Sequence, residues 1–239
     1  MGGKMNFKGQ KIIVMGGSRG IGLAIAHGFA ARGADIAICA RGAEGLEAAR
    51  KSLTEHHTNI FAAPCDLADA QQIAAFIPEA AGALGGIDVL VNNASGFGMT
   101  DDDASKIANS FLETSDYPSI INVASISGLR ASNRSGPYAA AKAAVIQYTT
   151  TQARMLSRQR IRVNAISPGA IEFPGGVWDQ RKHDNPALYA ATLASIPFGR
   201  FGTAEEVAEV ALFLASPAAR WVTGQNICVD GGQLLGAYA

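Results

Sequence analysis

Tyr138 and Lys142 stand four positions apart in SGPYAAAKAAV, residues 135–145, a run otherwise made almost entirely of alanine. Alanine favours helix, and the glycine and proline just ahead of the tyrosine suit a turn into a helix's first residues. Four residues make about one helical turn, so the phenol and the ammonium share a face. The chemistry open to such a pair is proton transfer. A free phenol ionises only near pH ~10, too high for quick exchange at neutrality, and a cation one turn away stabilises the phenolate. The same spacing also suits a small-residue helix packed tightly on a neighbour, its two polar groups reaching out at the edge.

A second set of residues is suited to phosphate. In IIVMGGSRGIGLAIA, residues 12–26, glycines at 16, 20 and 22 fall between a candidate strand and a candidate helix. Glycine lets the backbone turn tightly and approach a ligand, while the first helix amides point at whatever lies beyond, ideally a pyrophosphate. The spacing is GxxxGxG rather than GxGxxG, and a purely structural turn is the competing reading. The second candidate strand ends in Ala40 and Arg41, where a carboxylate would bind ribose hydroxyls and repel a 2'-phosphate. Arg41 and Arg19 together offer two guanidinium groups to that phosphate, which favours NADPH over NADH, although each alone also reads as a solvated charge. Asp66 and Leu67 are placed to hold an adenine, or Asp66 simply begins the next turn. NNAS at 92–95, with Asn93 and Ala94, suits a close-passing cofactor, although taken alone it reads first as a turn.

The elements that must position these groups follow from apolar patterning. Seven short apolar runs, at 11–15, 35–40, 60–65, 88–93, 119–125, 161–167 and 226–232, alternate with helical patterns at 20–32, 43–56, 69–84, 137–158 and 204–215. Such alternation predicts an α/β fold, a Rossmann-type doubly wound parallel sheet of about seven strands with helices on both faces and ligands at the strands' carboxyl ends. Thr203 and Glu206 predict a capping box on the last helix. The 239 residues suffice for a single domain over 1–239. Twenty Lys plus Arg balance twenty Asp plus Glu, so neither nucleic acid nor a membrane surface is an expected partner and any phosphate site is local. Cys39, Cys65 and Cys228 are far apart in apolar stretches without metal-ligand spacing, and read as buried small hydrophobes in a reducing compartment. No long apolar run or leader pattern is present, and the expected location is the cytoplasm.

Taken in order, GGSRGIG (16–22), CDL (65–67), NNA (92–94), INVAS (121–125), YAAAK (138–142), SPGAI (167–171), PFGRFGTAEEVA (197–208) and VTGQNICVDGG (222–232) resemble a short-chain dehydrogenase/reductase over nearly the whole chain. Ser125 precedes Tyr138 by the thirteen residues usual in that family, which selects it over Ser127. The resemblance implies that Ser125, Tyr138 and Lys142 meet beside a nicotinamide. Tyr138 would transfer the proton, Ser125 would donate to the substrate oxygen, and Lys142 would bond the nicotinamide ribose. It also implies cofactor contacts from Gly16, Ser18, Arg19, Gly20, Ile21, Arg41, Asp66, Leu67, Asn93, Ala94, Pro168, Gly169 and Ile171, and no metal. The expected activity is NADPH-dependent reduction of a small-molecule ketone, or the reverse oxidation of a secondary alcohol, in a homo-oligomer. An NAD-dependent alcohol dehydrogenase, a 3-oxoacyl thioester reductase and a non-catalytic nucleotide-binding scaffold are the alternatives.

The chain departs from the family pattern at Met15, Ser95 and Phe173, the last standing where a cofactor-reaching threonine is usual. The interval between NNASG and INVAS is short by several helical turns, which predicts a shortened fourth helix and weakened assembly into a dimer or tetramer. Asn109 is the candidate replacement for the family's proton-relay asparagine, against a surface helix position. Residues 172–199 are expected to form a lid over the nicotinamide. Phe173, Trp178 and Tyr189 would line its pocket or form the lid's own packing, and Arg181, Lys182 and His183 would form a solvated turn.

Overall fold

The structure, a computed structural model, describes residues 5–93, 101–131 and 135–236, with backbone alone for 101–106. In chain order the elements are β1 (Lys11–Met15), α1 (Gly20–Ala30), β2 (Asp35–Ala40), α2 (Ala43–Thr54), β3 (Ile60–Pro64), α3 (Ala70–Leu84), β4 (Val89–Asn92) and α4 (Asp101–Leu112). The second half adds β5 (Ser119–Val123), α5 (Gly136–Leu156), β6 (Arg162–Pro168), α6 (Val177–Asp184), α7 (Pro186–Ala194), α8 (Ala204–Ala215) and β7 (Asn226–Val229).

The strands form one parallel sheet in the order β3-β2-β1-β4-β5-β6-β7. Strand order reverses between β1 and β4, the kind of switch point at whose carboxyl ends open α/β sheets take ligands. Period-two alternation feeds two cores. Ile12 and Val14 of β1, Ile36 and Ile38 of β2, and Val89 and Val91 of β4 face a core shared with α1, α2 and α8. Ile13 and Met15, Ala37 and Cys39, and Leu90 face the opposite core, covered by α3, α4 and α5. Both sheet faces are therefore covered, which explains why the strands read as continuous apolar runs.

Three expectations need correction. The 172–199 segment contains two helices, α6 and α7, and Arg181, Lys182 and His183 lie within α6 rather than in a turn. Cys228 is exposed on β7, while Cys39 and Cys65 are buried. Asn109 is half-buried on α4, and its Oδ1 is buried with no hydrogen-bond partner among the described residues, so it is not a free surface position. The fourth helix is short, at 12 residues, with Ala108 and Leu112 buried in the second core. The capping box of α8 is present, Thr203 Oγ1 accepting from the Glu206 amide and the Glu206 carboxylate from the Thr203 amide.

Candidate active site

The glycine turn is held by backbone. The amides of Gly16 and Gly17 both donate to the Cys39 carbonyl at 3.1 Å, hanging the turn on the end of β2. Asn93 Nδ2 donates to the Gly16 carbonyl at 3.0 Å, tying the turn to the end of β4. A Cβ at Gly22 would lie 2.3 Å from the Gly16 oxygen and 2.4 Å from Asn93 Nδ2, and one at Gly17 would lie 2.5 Å from Ile38. Gly16 and Gly20 have φ of 77° and 55°, in the left-handed region that glycine tolerates. Beyond the turn, the first amides of α1 have no intrahelical acceptor and face outward. The donor set of this turn suits a diphosphate, and a nicotinamide dinucleotide fits the residues present, with the Phe173 ring resting on Gly20.

The other nucleotide-end residues separate by role. Arg19 and Arg41 are exposed, in loops leaving the adjacent strands β1 and β2, and Ser18 and Ile21 are half-buried in the turn and first helical residues. Asp66 Oδ1 accepts from the Ala68 amide at 3.0 Å, as a turn-starting aspartate does, and Leu67 packs on the second core. Ala94 and Ser95 lie outside the described residues.

The tyrosine and lysine lie on α5. Pro137 opens the helix, Tyr138 sits half-buried in its first turn, and Lys142 follows one turn later, 4% exposed. Lys142 Nζ donates to the Val123 carbonyl at 2.8 Å and lies 5.9 Å from the Tyr138 ring centroid. Val123 ends β5, two residues before Ser125, so the ammonium reaches across from the helix to the strand that delivers the serine. Ser125 is buried, and its Oγ accepts from the Ser127 amide at 3.1 Å, which caps the 3-10 turn Ile126–Gly128. That turn lies flush on α5, since a Cβ at Gly128 would sit 2.6 Å from the Ala143 nitrogen. The strand and helix that carry the three groups thus meet through Lys142 and Val123 and through Gly128 on α5.

Sequence reasoning missed a set of buried polar ties beneath and beside these groups. Asn92 Nδ2 donates to Asn122 Oδ1 at 2.8 Å, and Asn122 Nδ2 donates to Thr149 Oγ1 at 3.0 Å, linking β4, β5 and α5. Gln233, 4% exposed, accepts from the Ala170 amide at 3.0 Å and donates to Ser195 Oγ at 3.1 Å, while its own carbonyl accepts from Arg130 at 3.2 Å. It therefore joins the exit of β6, the end of the lid and the loop following Ser125. A polar residue just after the VDGG run is its sequence signal, although nothing there reveals the partners.

At the exit of β6, Pro168 and Ile171 are buried, the Gly169 amide donates to Val229, and Ile171 pairs with Gly202. The lid aromatics part company. Trp178 and Tyr189 pack on Phe201 at ring-centroid distances of 5.3 and 4.6 Å, forming the lid's own nucleus with Leu193 and Ile196. Tyr189 donates to Glu172 at 2.8 Å, and that carboxylate pushes the phenol's pKa up. Phe173 turns instead toward the glycine turn, its Cζ 2.5 Å from where a Cβ on Gly20 would stand. No cluster of three or more metal-ligating side chains occurs among the described residues, and no helix there is long and apolar enough to cross a membrane.

A family model described as short chain dehydrogenase matches residues 10–117, and one described as Enoyl-(Acyl carrier protein) reductase matches residues 103–233. The chain is 37% identical to the 3-oxoacyl-(acyl-carrier-protein) reductase FabG of Chlamydia pneumoniae, covering 94% of this chain and 96% of that protein. The alignment spans 244 positions against the 239 residues here, so that relative carries residues without a counterpart in this chain. Among solved structures, L-sorbose reductase from Gluconobacter frateurii, complexed with NADPH and L-sorbose, is similar with TM-score 0.88 and 28% identity, covering 96% of this chain and 98% of that one. A 7α-hydroxysteroid dehydrogenase complexed with NADH is similar with TM-score 0.89 and 28% identity, covering 98% and 97%.

The chain belongs to the short-chain dehydrogenase/reductase family. It is an oxidoreductase that acts on carbonyl and alcohol groups with a nicotinamide cofactor.

Proposed function

We propose that the protein is an NADPH-dependent carbonyl reductase whose Ser125, Tyr138 and Lys142 handle the substrate oxygen. The observation that carries this reading is the reach of Lys142 Nζ to the Val123 carbonyl, 2.8 Å away, with the Tyr138 ring centroid at 5.9 Å. One buried cation thereby joins the end of the serine-bearing strand to the first turn of the tyrosine-bearing helix.

The bound nicotinamide supplies a hydride to the carbonyl carbon or takes one from the alcohol carbon. The residues deal with what that leaves on oxygen. Ser125 Oγ already accepts from the Ser127 amide, which directs its own proton outward as a donor to the substrate oxygen. Such donors act where negative charge develops. Tyr138 gives its phenolic proton to that oxygen in reduction and takes it back in oxidation. Lys142 is fixed by Val123, so its charge stays in place through the transfer. Gly16, Ser18, Gly20 and Ile21 would hold the diphosphate, Arg19 and Arg41 the 2'-phosphate, Asp66 and Leu67 the adenine, and Asn93 with Pro168, Gly169 and Ile171 the nicotinamide side. Arg41 directly follows Ala40, the last residue of β2, and this absence of a carboxylate supports NADPH over NADH. The same reading includes assembly into a dimer or tetramer, checked by gel filtration.

Its test is Tyr138→Phe. Turnover of a carbonyl panel, followed at the absorbance of reduced nicotinamide, is expected to fall by about 10²–10⁴ with NADPH affinity within about twofold. An unchanged rate would remove Tyr138 from the proton transfer, and nucleotide binding without any turnover in the unmutated protein would indicate a nucleotide-binding scaffold. The likeness to the Chlamydia reductase favours 3-oxoacyl thioesters as a second substrate reading, separated by assaying acyl-carrier thioesters against simple ketones.

A further inference from the structure

Phe173 lies outside the Ser125, Tyr138 and Lys142 constellation, yet it bridges two parts of the molecule that the sequence keeps apart. It follows Ile171 and Glu172 at the exit of β6 and heads a four-residue turn, Phe173–Gly176, closed by the Gly176 amide on the Phe173 carbonyl at 2.9 Å. Pro174 and Gly175, the latter at φ 70°, take the two central positions as a type II turn requires. From this turn α6 begins at Val177, so Phe173 is the root of the lid.

Its ring lies between two glycines. A Cβ on Gly20 would fall 2.5 Å from Phe173 Cζ, 2.7 Å from Cε2 and 3.0 Å from Cε1, and one on Gly176 would fall 2.9 Å from Cε2. Neither position could carry a side chain with the ring where it is. The ring tip thus rests on the first residue of α1, against the face of the turn where a diphosphate must come to reach the helix amides. The rest of the side chain packs on the core beneath α1 and α8.

We propose that Phe173 is a gate on the dinucleotide site. The ring tip and the diphosphate compete for the face of Gly20, so nucleotide enters only as the ring leaves, and the displacement passes through the Pro174–Gly176 turn into α6 and α7. Cofactor binding, rather than substrate binding, then sets the position of the lid. The inference rests on the reading of the glycine turn as a nicotinamide dinucleotide site.

The test is stopped-flow binding of NADPH, and of NADH in parallel, to the full chain and to Phe173→Leu. Leucine keeps bulk against the core but lacks the reach to touch Gly20, so folding is preserved. In the wild type the observed rate levels off with nucleotide concentration at the rate of ring departure. In Phe173→Leu it keeps rising linearly and exceeds the wild-type plateau by about tenfold, the size of one lost ring contact. Amide exchange supplies the second readout: NADPH alters protection over 177–194 in the wild type, and this response is lost in Phe173→Leu. Identical concentration profiles, or an identical lid response, would overturn the gate while leaving the dinucleotide site standing. A wild type that binds neither nucleotide would overturn the site and the gate with it.

Discussion

The two halves of the crevice are built from different material. On the β1–β2–β4 side the glycine turn is held mostly by main chain, with two amides on the Cys39 carbonyl, one side-chain tie from Asn93, and glycines where a Cβ would collide with backbone or with Ile38. On the β5–β6–β7 side the groups proposed to handle substrate are held by buried side chains reaching across elements: Lys142 to Val123, Asn122 to Thr149, and Gln233 to Ala170 and Ser195. On the proposed reading, a site for an invariant diphosphate would draw mainly on what every residue shares, and a site for a variable substrate on replaceable side chains.

That contrast can be broken or sharpened by substitution. The largest effect is expected from Gly22→Ala, whose methyl would lie 2.3 Å from the Gly16 oxygen. Displacing the turn should weaken NADPH binding by about 100-fold in calorimetry, with no milder conservative replacement available. Next comes Arg162→Met. The buried Arg162 guanidinium donates to the carbonyls of Leu214, Ala215 and Ala219, capping the end of α8, and burial lowers its pKa to about 10. Losing these bonds should cost about 2–4 kcal/mol and lower Tm by about 10 °C in calorimetric scans, with nucleotide affinity intact.

A finer cut is Gln233→Leu, which unties the lid end from the exit of β6. Steady-state kinetics should show KM for the carbonyl rising about tenfold, with the NADPH Kd within about twofold. Equal losses on both sides would erase the proposed division.

The smallest effect lies outside the crevice. His27 on α1 meets His56 at 2.8 Å and Ser52 at 3.1 Å, and its pKa is lowered by burial and then by His56, against a raising influence from Glu55. The unfolded chain therefore binds more protons than the folded one below pH ~6.5. Stability is full above that value and lost as pH falls through the lowered pKa. Between about pH 7.5 and 5.5, Tm of His27→Gln should fall less than that of the wild type, by about 1–2 °C.

The legibility of the sequence follows the same division. All seven strands were readable because a sheet covered on both faces writes itself as apolar runs, and the glycine turn because its constraint is local. The helices α6 and α7 were not. VWDQRKHD has no apolar face to count, and Trp178 and Tyr189 pack on Phe201, across turns the sequence does not draw. Gln233 escaped for a related reason, its partners lying 38 and 63 positions away. Asn93 reads as a cofactor contact, and its amide is engaged with the Gly16 carbonyl. The separation of Phe173 from Trp178 and Tyr189 likewise depends on where the lid root meets α1.

The lid's private aromatic nucleus has a practical corollary. Because Trp178, Tyr189 and Leu193 gather on Phe201 instead of on the sheet, the span from Val177 to Ala194 behaves as a cassette with its own seat. Grafting another family member's segment between the Gly176 and Ser195 joints would recast which molecules are admitted while leaving strand register and the diphosphate cradle undisturbed.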